Sequence, residues 1–343
     1  MTAGTAVEVT PANIMKLGLA FWGSKTLLSA VELDVFTELA KAPSDLVTLT
    51  KNLKLHERAS RDFFDSLVAL GLLQRKDGVY SNTPETDKFL DAAKPSYIGG
   101  FLIMTSMRLY PTWGNLTEAL RSGKPQSEAK DMSTQDLFAK LYSDSERLKV
   151  FLQAMTGISL GNAKHIARSF EWSKYKTFCD VGTAQGALAV EVAKAHPHLS
   201  GIGFDLSPVE PIFNEYVERN KLPERLKFES GDFFKGELPC CDVIVMGHIL
   251  HDWNLEEKRL LVAKAYKALN PGGALIVYDA MIDNEREKNA FALLMSLNML
   301  IETPGGFDYT PAQCEEWLKD AGFKEIRFEP LTPTHMMGIG IKR

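Results

Sequence analysis

Cysteine is scarce in this chain. There are four in 343 residues, at Cys179, Cys240, Cys241 and Cys314. None forms a Cys-x-x-Cys pair, and adjacent Cys240 and Cys241 have poor geometry for a structural disulfide. That pattern supports neither a zinc site nor a disulfide framework, and it fits a reduced, cytoplasmic protein. Excess positive charge is also missing. Lys and Arg total 39 against 44 Asp and Glu, a net −5 that leaves no electrostatic footprint for nucleic acid or an anionic membrane. No apolar run is long enough to span a bilayer. Met1 to Thr10 has neither a basic nor an apolar stretch of the secretory kind, so no signal is expected there. The Gly-x-Gly-x-x-Gly fingerprint is absent from the one glycine-rich strand turn, which disfavours a reader of pyrophosphate.

What is present centres on Lys176 to Asp205. An apolar run ends in Asp180-Val181, Gly182 and Gly186 supply a turn, and Leu188, Val192 and Ala195 form a helical stripe. Gly201 to Asp205 reads as a second short strand ending in an acid. This is a βαβ unit with its turn where open α/β sheets bind ligands. The spacing of Gly182 to Asp205 suits an acid that takes two ribose hydroxyls, so a nucleoside without phosphates is expected. A glycine pair alone would also serve any tight strand-to-helix turn.

Upstream, Pro11 to about Leu39 carries a helical pattern with a wide apolar face (Leu17, Phe21, Trp22, Leu27, Leu28, Val31), which suits a subunit interface or packing on its own domain. Asp45 to Leu53, His56 to Leu70 and a hairpin around Asp77-Gly78 make a winged-helix pattern. Its second helix mixes Glu57, Asp62 and Asp65 with Arg58 and Arg61, so a DNA-binding regulator is disfavoured. Met104 to Leu120 and Asp136 to Phe170 read as helices flanking a polar loop, Ser122 to Ser133. Phe151, Met155 and Ile158 share one helical face, which is core by default. Composition shifts at Trp172 to Thr177, where strands begin.

Downstream, strands at Leu226–Ser230, Asp242–Gly247 and Ala274–Asp279 alternate with helices, and Ile326–Glu329 and Met336–Ile341 can close the sheet as a hairpin. A parallel sheet with helices on both faces and an antiparallel end is expected. Asp205, Asp232 and the His248–Trp253 segment then fall along one rim of strand ends.

Ile249-Leu250-His251-Asp252-Trp253, followed by Asn270-Pro271-Gly272-Gly273, with Gly231-Asp232-Phe233-Phe234 and Pro304-Gly305-Gly306, resembles the S-adenosylmethionine-dependent O-methyltransferases of the caffeate and acetylserotonin type. The resemblance covers nearly the whole chain. It implies a Rossmann-like α/β catalytic domain (residues 176–343), a helical region lining an acceptor pocket (101–175) and an α-helical winged-helix dimerisation domain (1–100). It implies S-adenosylmethionine as cofactor, a homodimer, and a small, largely aromatic acceptor, with no nucleic acid, membrane or metal partner. Gly182, Asp205, Gly231, Asp232, Phe233, His248 and Trp253 would hold the cofactor. His251 matches the general base, flanked by Asp279 and Asp308 where the family has two glutamates. Phe151, Met155, Asn298, Met299 and Thr303 fall in segments that line the acceptor site.

The chemistry agrees with that assignment. A phenol, with a pKa of about 10, is a poor nucleophile at neutral pH, and an imidazole near 6.5 can take its proton. A thiol acceptor would lean less on His251. Relatives that use the cofactor for hydroxylation, decarboxylation or pericyclic steps offer another route for the same fold. Three departures stand out. Gly182-Thr183-Ala184-Gln185-Gly186 replaces three successive glycines, Gly247 replaces a lysine of plant relatives, and Asp replaces Glu on both sides of His251.

Overall fold

The computed structural model describes residues 9–130, 132–133 and 140–343. It divides into two compact units, Met1–Met107 and Arg108–Arg343.

In the first unit the expected single helix from Pro11 is three, Ala12–Gly18, Ala20–Glu32 and Val35–Lys41. The break before the third comes from Asp34, which takes a left-handed φ of 55° and reverses the helical path. The winged-helix pattern forms as read. Helices Leu46–Asn52 and Glu57–Ala69 precede strands β2 (Leu73–Lys76) and β3 (Val79–Asn82), and a two-residue β1 (Ser44–Asp45) pairs with β3. Their core is Val31, Phe36, Leu39, Leu49, Phe64, Leu67 and Tyr80. Asp65 on the second helix accepts from the Tyr80 hydroxyl at 2.6 Å and pairs with Arg75, so its charge is spent inside the unit. The first two helices leave apolar surface open in this chain, with Leu17 79% and Trp22 60% exposed.

The second unit opens with short helical pieces, Leu116–Ser122 among them, rather than the continuous Met104–Leu120 helix expected. A long helix, Ser145–Ser169, follows; the expected start at Asp136 lies outside the described residues. Then comes a seven-stranded sheet: β4 (Thr177–Val181), β5 (Ser200–Asp205), β6 (Leu226–Ser230), β7 (Cys241–Gly247), β8 (Leu269–Asp279), β9 (Lys324–Pro330) and β10 (Met336–Ile341). Their order is β6-β5-β4-β7-β8-β10-β9. The first five are mutually parallel, and β10 runs antiparallel to both neighbours. Alternate residues feed two cores: Phe178, Val243, Val245 and Ile276 on one face, Cys179, Val181, Ile244 and Val277 on the other. That period of two is why these strands read as unbroken apolar runs. Because the chain leaves β4 for β5 on one side and returns to β7 on the other, the sheet has its switch point beyond β4 and β7, where a crevice forms.

Candidate active site

Five strand ends and the loop that carries Asp308 bring the site together. After β4, Gly182 takes φ +70°, and an added Cβ there would lie 2.2 Å from Ile249 Cδ1. Only glycine meets both conditions, which explains the turn residue. Thr183 donates its hydroxyl to Asp180 Oδ2 at 2.9 Å, and Ala184 N–H donates to Asp205 Oδ2 at 3.0 Å. Asp205 at the end of β5 also accepts from Leu206 N–H at 2.8 Å. Burial pushes Asp205 up to about 6, against the pull of those two amides, and burial pushes Asp180 up to about 7. Two acids and no base line this turn, so it suits hydroxyls and a cationic ligand better than phosphate. Gln185, the departure from the triple glycine, accepts from Thr156 Oγ1 at 2.9 Å and so ties the long helix to the loop.

After β6, Gly231 N–H donates to Asp205 O at 2.9 Å, which sets Asp232 and Phe233 beside the acid. Asp232 Oδ1 accepts from Phe234 N–H at 2.9 Å. The Phe233 and Phe234 rings stand edge-on to Trp253, with centroids 5.6 and 4.5 Å away. Lys264 caps the carbonyls of Phe233, Phe234 and Gly236 and holds the loop closed. This is an aromatic corner next to a carboxylate, a surface that fits an adenosine.

His251 sits on a 3-10 turn after β7, 7% exposed. Its Nδ1 lies 3.3 Å from Asp308 Oδ1 and 3.9 Å from Asp279 Oδ1, and its Nε2 lies 3.6 Å from Asp252 Oδ1. Burial alone would depress the imidazole, but the fields of Asp279, Asp252 and Asp308 outweigh it and raise it to about 10. The resting ring therefore carries its proton at neutral pH. Asp279, fully buried at the end of β8, is pushed up to about 7 by burial against the pull of His251. Pro304-Gly305-Gly306 has a packing reason. A Cβ on Gly306 would lie 2.6 Å from the His251 carbonyl oxygen, so only glycine lets the Asp308 loop press on the turn.

His248, expected at the cofactor, sits beside His251. Its ring packs on Tyr278, His335 and His251, and its Nδ1 is 3.8 Å from Asp279 Oδ1. Burial, reinforced by His251 and His335, holds it well below the usual imidazole range, so it is neutral. His248, His251 and Asp279 each offer a ligand atom within 4.8 Å of the others, a grouping a divalent cation fits among the described residues. A cation there would occupy the imidazole that the base role needs.

Of the expected acceptor residues, Asn298 accepts from Trp113 Nε1 at 2.9 Å. The Thr303 hydroxyl donates to Met299 O and accepts from Gly306 N–H, so it shapes the loop beneath His251. Phe151 and Met155 are half-buried on the long helix, and Met299 is buried. Sequence reasoning missed Asp180, Trp113, Tyr309, His335, Lys258 and the Arg108–Glu302 pair, whose Nη1 and Oε2 are 2.7 Å apart. Tyr309 donates to Asp279 Oδ2, and half-buried Tyr142 lies within electrostatic reach of both Asp205 and Asp252. Asp180, just two residues before Gly182 in the quoted stretch, was within reach of a sequence reading; the others come from segments that only folding joins.

Comparison with known proteins finds relatives along the whole chain. A family model described as an O-methyltransferase domain matches residues 113–324, and an O-methyltransferase dimerisation domain matches residues 15–92. The tetracenomycin polyketide synthesis 8-O-methyl transferase of Streptomyces glaucescens is 43% identical over 100% of this chain and 99% of its own. An N,N-dimethyltransferase of Streptomyces rimosus is 37% identical over 82% of each chain. The crystal structure of human N-acetylserotonin methyltransferase, in complex with S-adenosylmethionine, superposes with a TM-score of 0.89 over 99% of both chains at 27% identity.

Proposed function

The chain belongs to the S-adenosylmethionine-dependent O-methyltransferases, and from that premise we propose that it methylates a phenolic hydroxyl of a polycyclic aromatic acceptor, with His251 as base. The observation that carries this reading is the buried His251 held by Asp308 and Asp279, facing a nucleoside-type rim. The acceptor class is supported by the 43% identity to an 8-O-methyl transferase of polyketide synthesis. The cofactor supplies a methyl group on a positively charged sulfonium. Asp205 would take its ribose hydroxyls, Asp232 and the Phe233–Trp253 corner its adenine, and Gly182 and Gly231 keep the backbone close enough for both.

The neutral form of His251, which the surrounding carboxylates make scarce below about pH 10, takes the phenolic proton as the oxygen attacks. Asp308 and Asp279 fix its ring orientation and stabilise the imidazolium that results. General-base help of this kind is typically worth ~10²–10⁴-fold. Arrangement of the acceptor by the Phe151, Met155, Asn298 and Met299 segments supplies the alignment, which can contribute ~7–11 kcal/mol at best. The dimerisation domain and the open apolar face of the first two helices support a homodimer, and the four free cysteines support a reducing, cytoplasmic setting.

The test is incubation with S-adenosylmethionine and a panel of polycyclic phenols, simple phenols, catechols and amines, following S-adenosylhomocysteine by mass spectrometry. A phenolic product that disappears in His251→Ala, with cofactor binding kept, is the expected result. Transfer to amines alone, as the name of the Streptomyces rimosus relative would suggest, overturns the oxygen assignment. Full activity in His251→Ala overturns the base.

A further inference from the structure

Lys258 is fully buried, an uncommon place for a lysine. It lies in the first turn of the helix Leu255–Ala268, which starts at the Asn254–Glu257 capping box immediately after the His251 turn. Its Nζ donates to the Trp253 carbonyl oxygen at the end of that turn. The same Nζ stands 3.5 Å from the centroid of the Phe307 ring and 5.9 Å from that of Tyr309. Phe307 and Tyr309 bracket Asp308, the acid that faces His251. One ammonium group therefore touches both the turn that carries the base and the loop that carries its partner acid.

We propose that Lys258 is a positioning residue for methyl transfer, clamping the His251 turn to the Phe307–Asp308 loop so that Asp308 stays against the imidazole. The proposal rests on the reading of His251 as the base. The same three carboxylates, Asp279, Asp252 and Asp308, act on both His251 and Lys258. Around His251 stand Asp252 on its own turn, Asp308 on the facing loop, Asp279 at the end of β8, and neutral His248 and His335. Burial lowers the Lys258 ammonium to about 8 against the pull of the three acids, which leaves it mainly charged at neutral pH. A desolvated cation on an aromatic face is a favourable contact, so the clamp is retained where water cannot reach.

The experiment uses the full-length enzyme, with Lys258→Met, Lys258→Arg, Phe307→Leu and His251→Ala compared for thermal midpoint, S-adenosylmethionine affinity, kcat and the pH profile of kcat/KM. Lys258→Met is expected to lower kcat about tenfold at pH 7. Cofactor affinity should stay within about twofold, so that the loss falls on kcat. Lys258→Arg should recover part of kcat, because the cation and its aromatic contact are restored. Phe307→Leu keeps the charge and loosens the clamp, so kcat should fall several-fold with cofactor affinity again unchanged. Wild-type kcat in a folded Lys258→Met protein overturns the clamp. If that variant does not fold, wild-type kcat in Phe307→Leu overturns the clamp. Full activity in His251→Ala would instead mean that the base assignment itself has failed.

Discussion

Tyr309 donates its hydroxyl to Asp279 Oδ2 at 2.5 Å, while Asp279 Oδ1 faces His251 Nδ1 at 3.9 Å. One oxygen of the buried acid is thus anchored by a phenol, and the other is left to the imidazole. Asp279 Oδ1 and Asp308 Oδ2 have no hydrogen-bond partner among the described residues, so both acids keep acceptor capacity toward the base.

Removing that anchor should weaken the acid without emptying the site. Tyr309→Phe deletes one hydrogen bond to a charged group, an interaction worth about 1.5–3 kcal/mol. We expect kcat to fall about tenfold or more, with cofactor affinity unchanged in a calorimetric titration. An unaltered kcat would mean that Asp279 does not act on His251.

The pH dependence follows from the raised His251. Its folded value lies near 10 against an ordinary 6.5, so the neutral form that can act as base becomes populated only as pH rises. The kcat/KM of the free enzyme should therefore climb from pH 7 into the alkaline range. The stability sign runs the other way. The contribution of the raised imidazole is fully present below pH 6.5 and is lost as pH rises through about 10. A flat rate profile from pH 6 to 9 would contradict the environment described for the ring.

Asp205 offers a second titration in the acid direction. Burial holds its carboxyl at about 6, so cofactor affinity should weaken as the acid is protonated below that pH. Asp205→Asn should bind the cofactor more weakly at pH 8 and lose most of the pH dependence. Fluorescence titration with S-adenosylhomocysteine at pH 5, 6, 7 and 8 measures both. Equal affinities for the two proteins at pH 8 would remove Asp205 from the cofactor site.

Gly182 tests the crevice itself. Gly182→Ala places a Cβ 2.2 Å from Ile249 Cδ1 on a backbone at φ +70°. The left-handed conformation alone costs about 1–3 kcal/mol for a residue with a side chain. Pairing it with Ile249→Ala should relieve the clash and leave the backbone cost, so the double variant should recover only part of the lost thermal stability. Complete recovery would show that the turn tolerates a side chain and that contact with Ile249 alone requires glycine.

Much of this molecule was legible in one dimension because burial imposes its period on the chain. Strands β4, β7 and β8 bury both faces and read as apolar runs, and Asn254 and Thr310 open their helices with capping boxes formed by residues three positions apart. The helix expected from Pro11 broke where a single left-handed residue, Asp34, turned the chain, and periodicity carries no sign of such a turn.

The sequence by itself determined the elements, the acid at the end of β5, and the local segment that carries His251, because those depend on residues a few positions apart. Tertiary structure decided everything that depends on distance and shared field. Asp308 reaches His251 across 57 positions, and Trp113 reaches Asn298 across 185. The proton on His251 and the charge on buried Lys258 depend on three carboxylates drawn from a β-strand end, a turn and a loop. Electrostatic energy depends on separation in space and on desolvation, and the order of residues along the chain encodes neither directly.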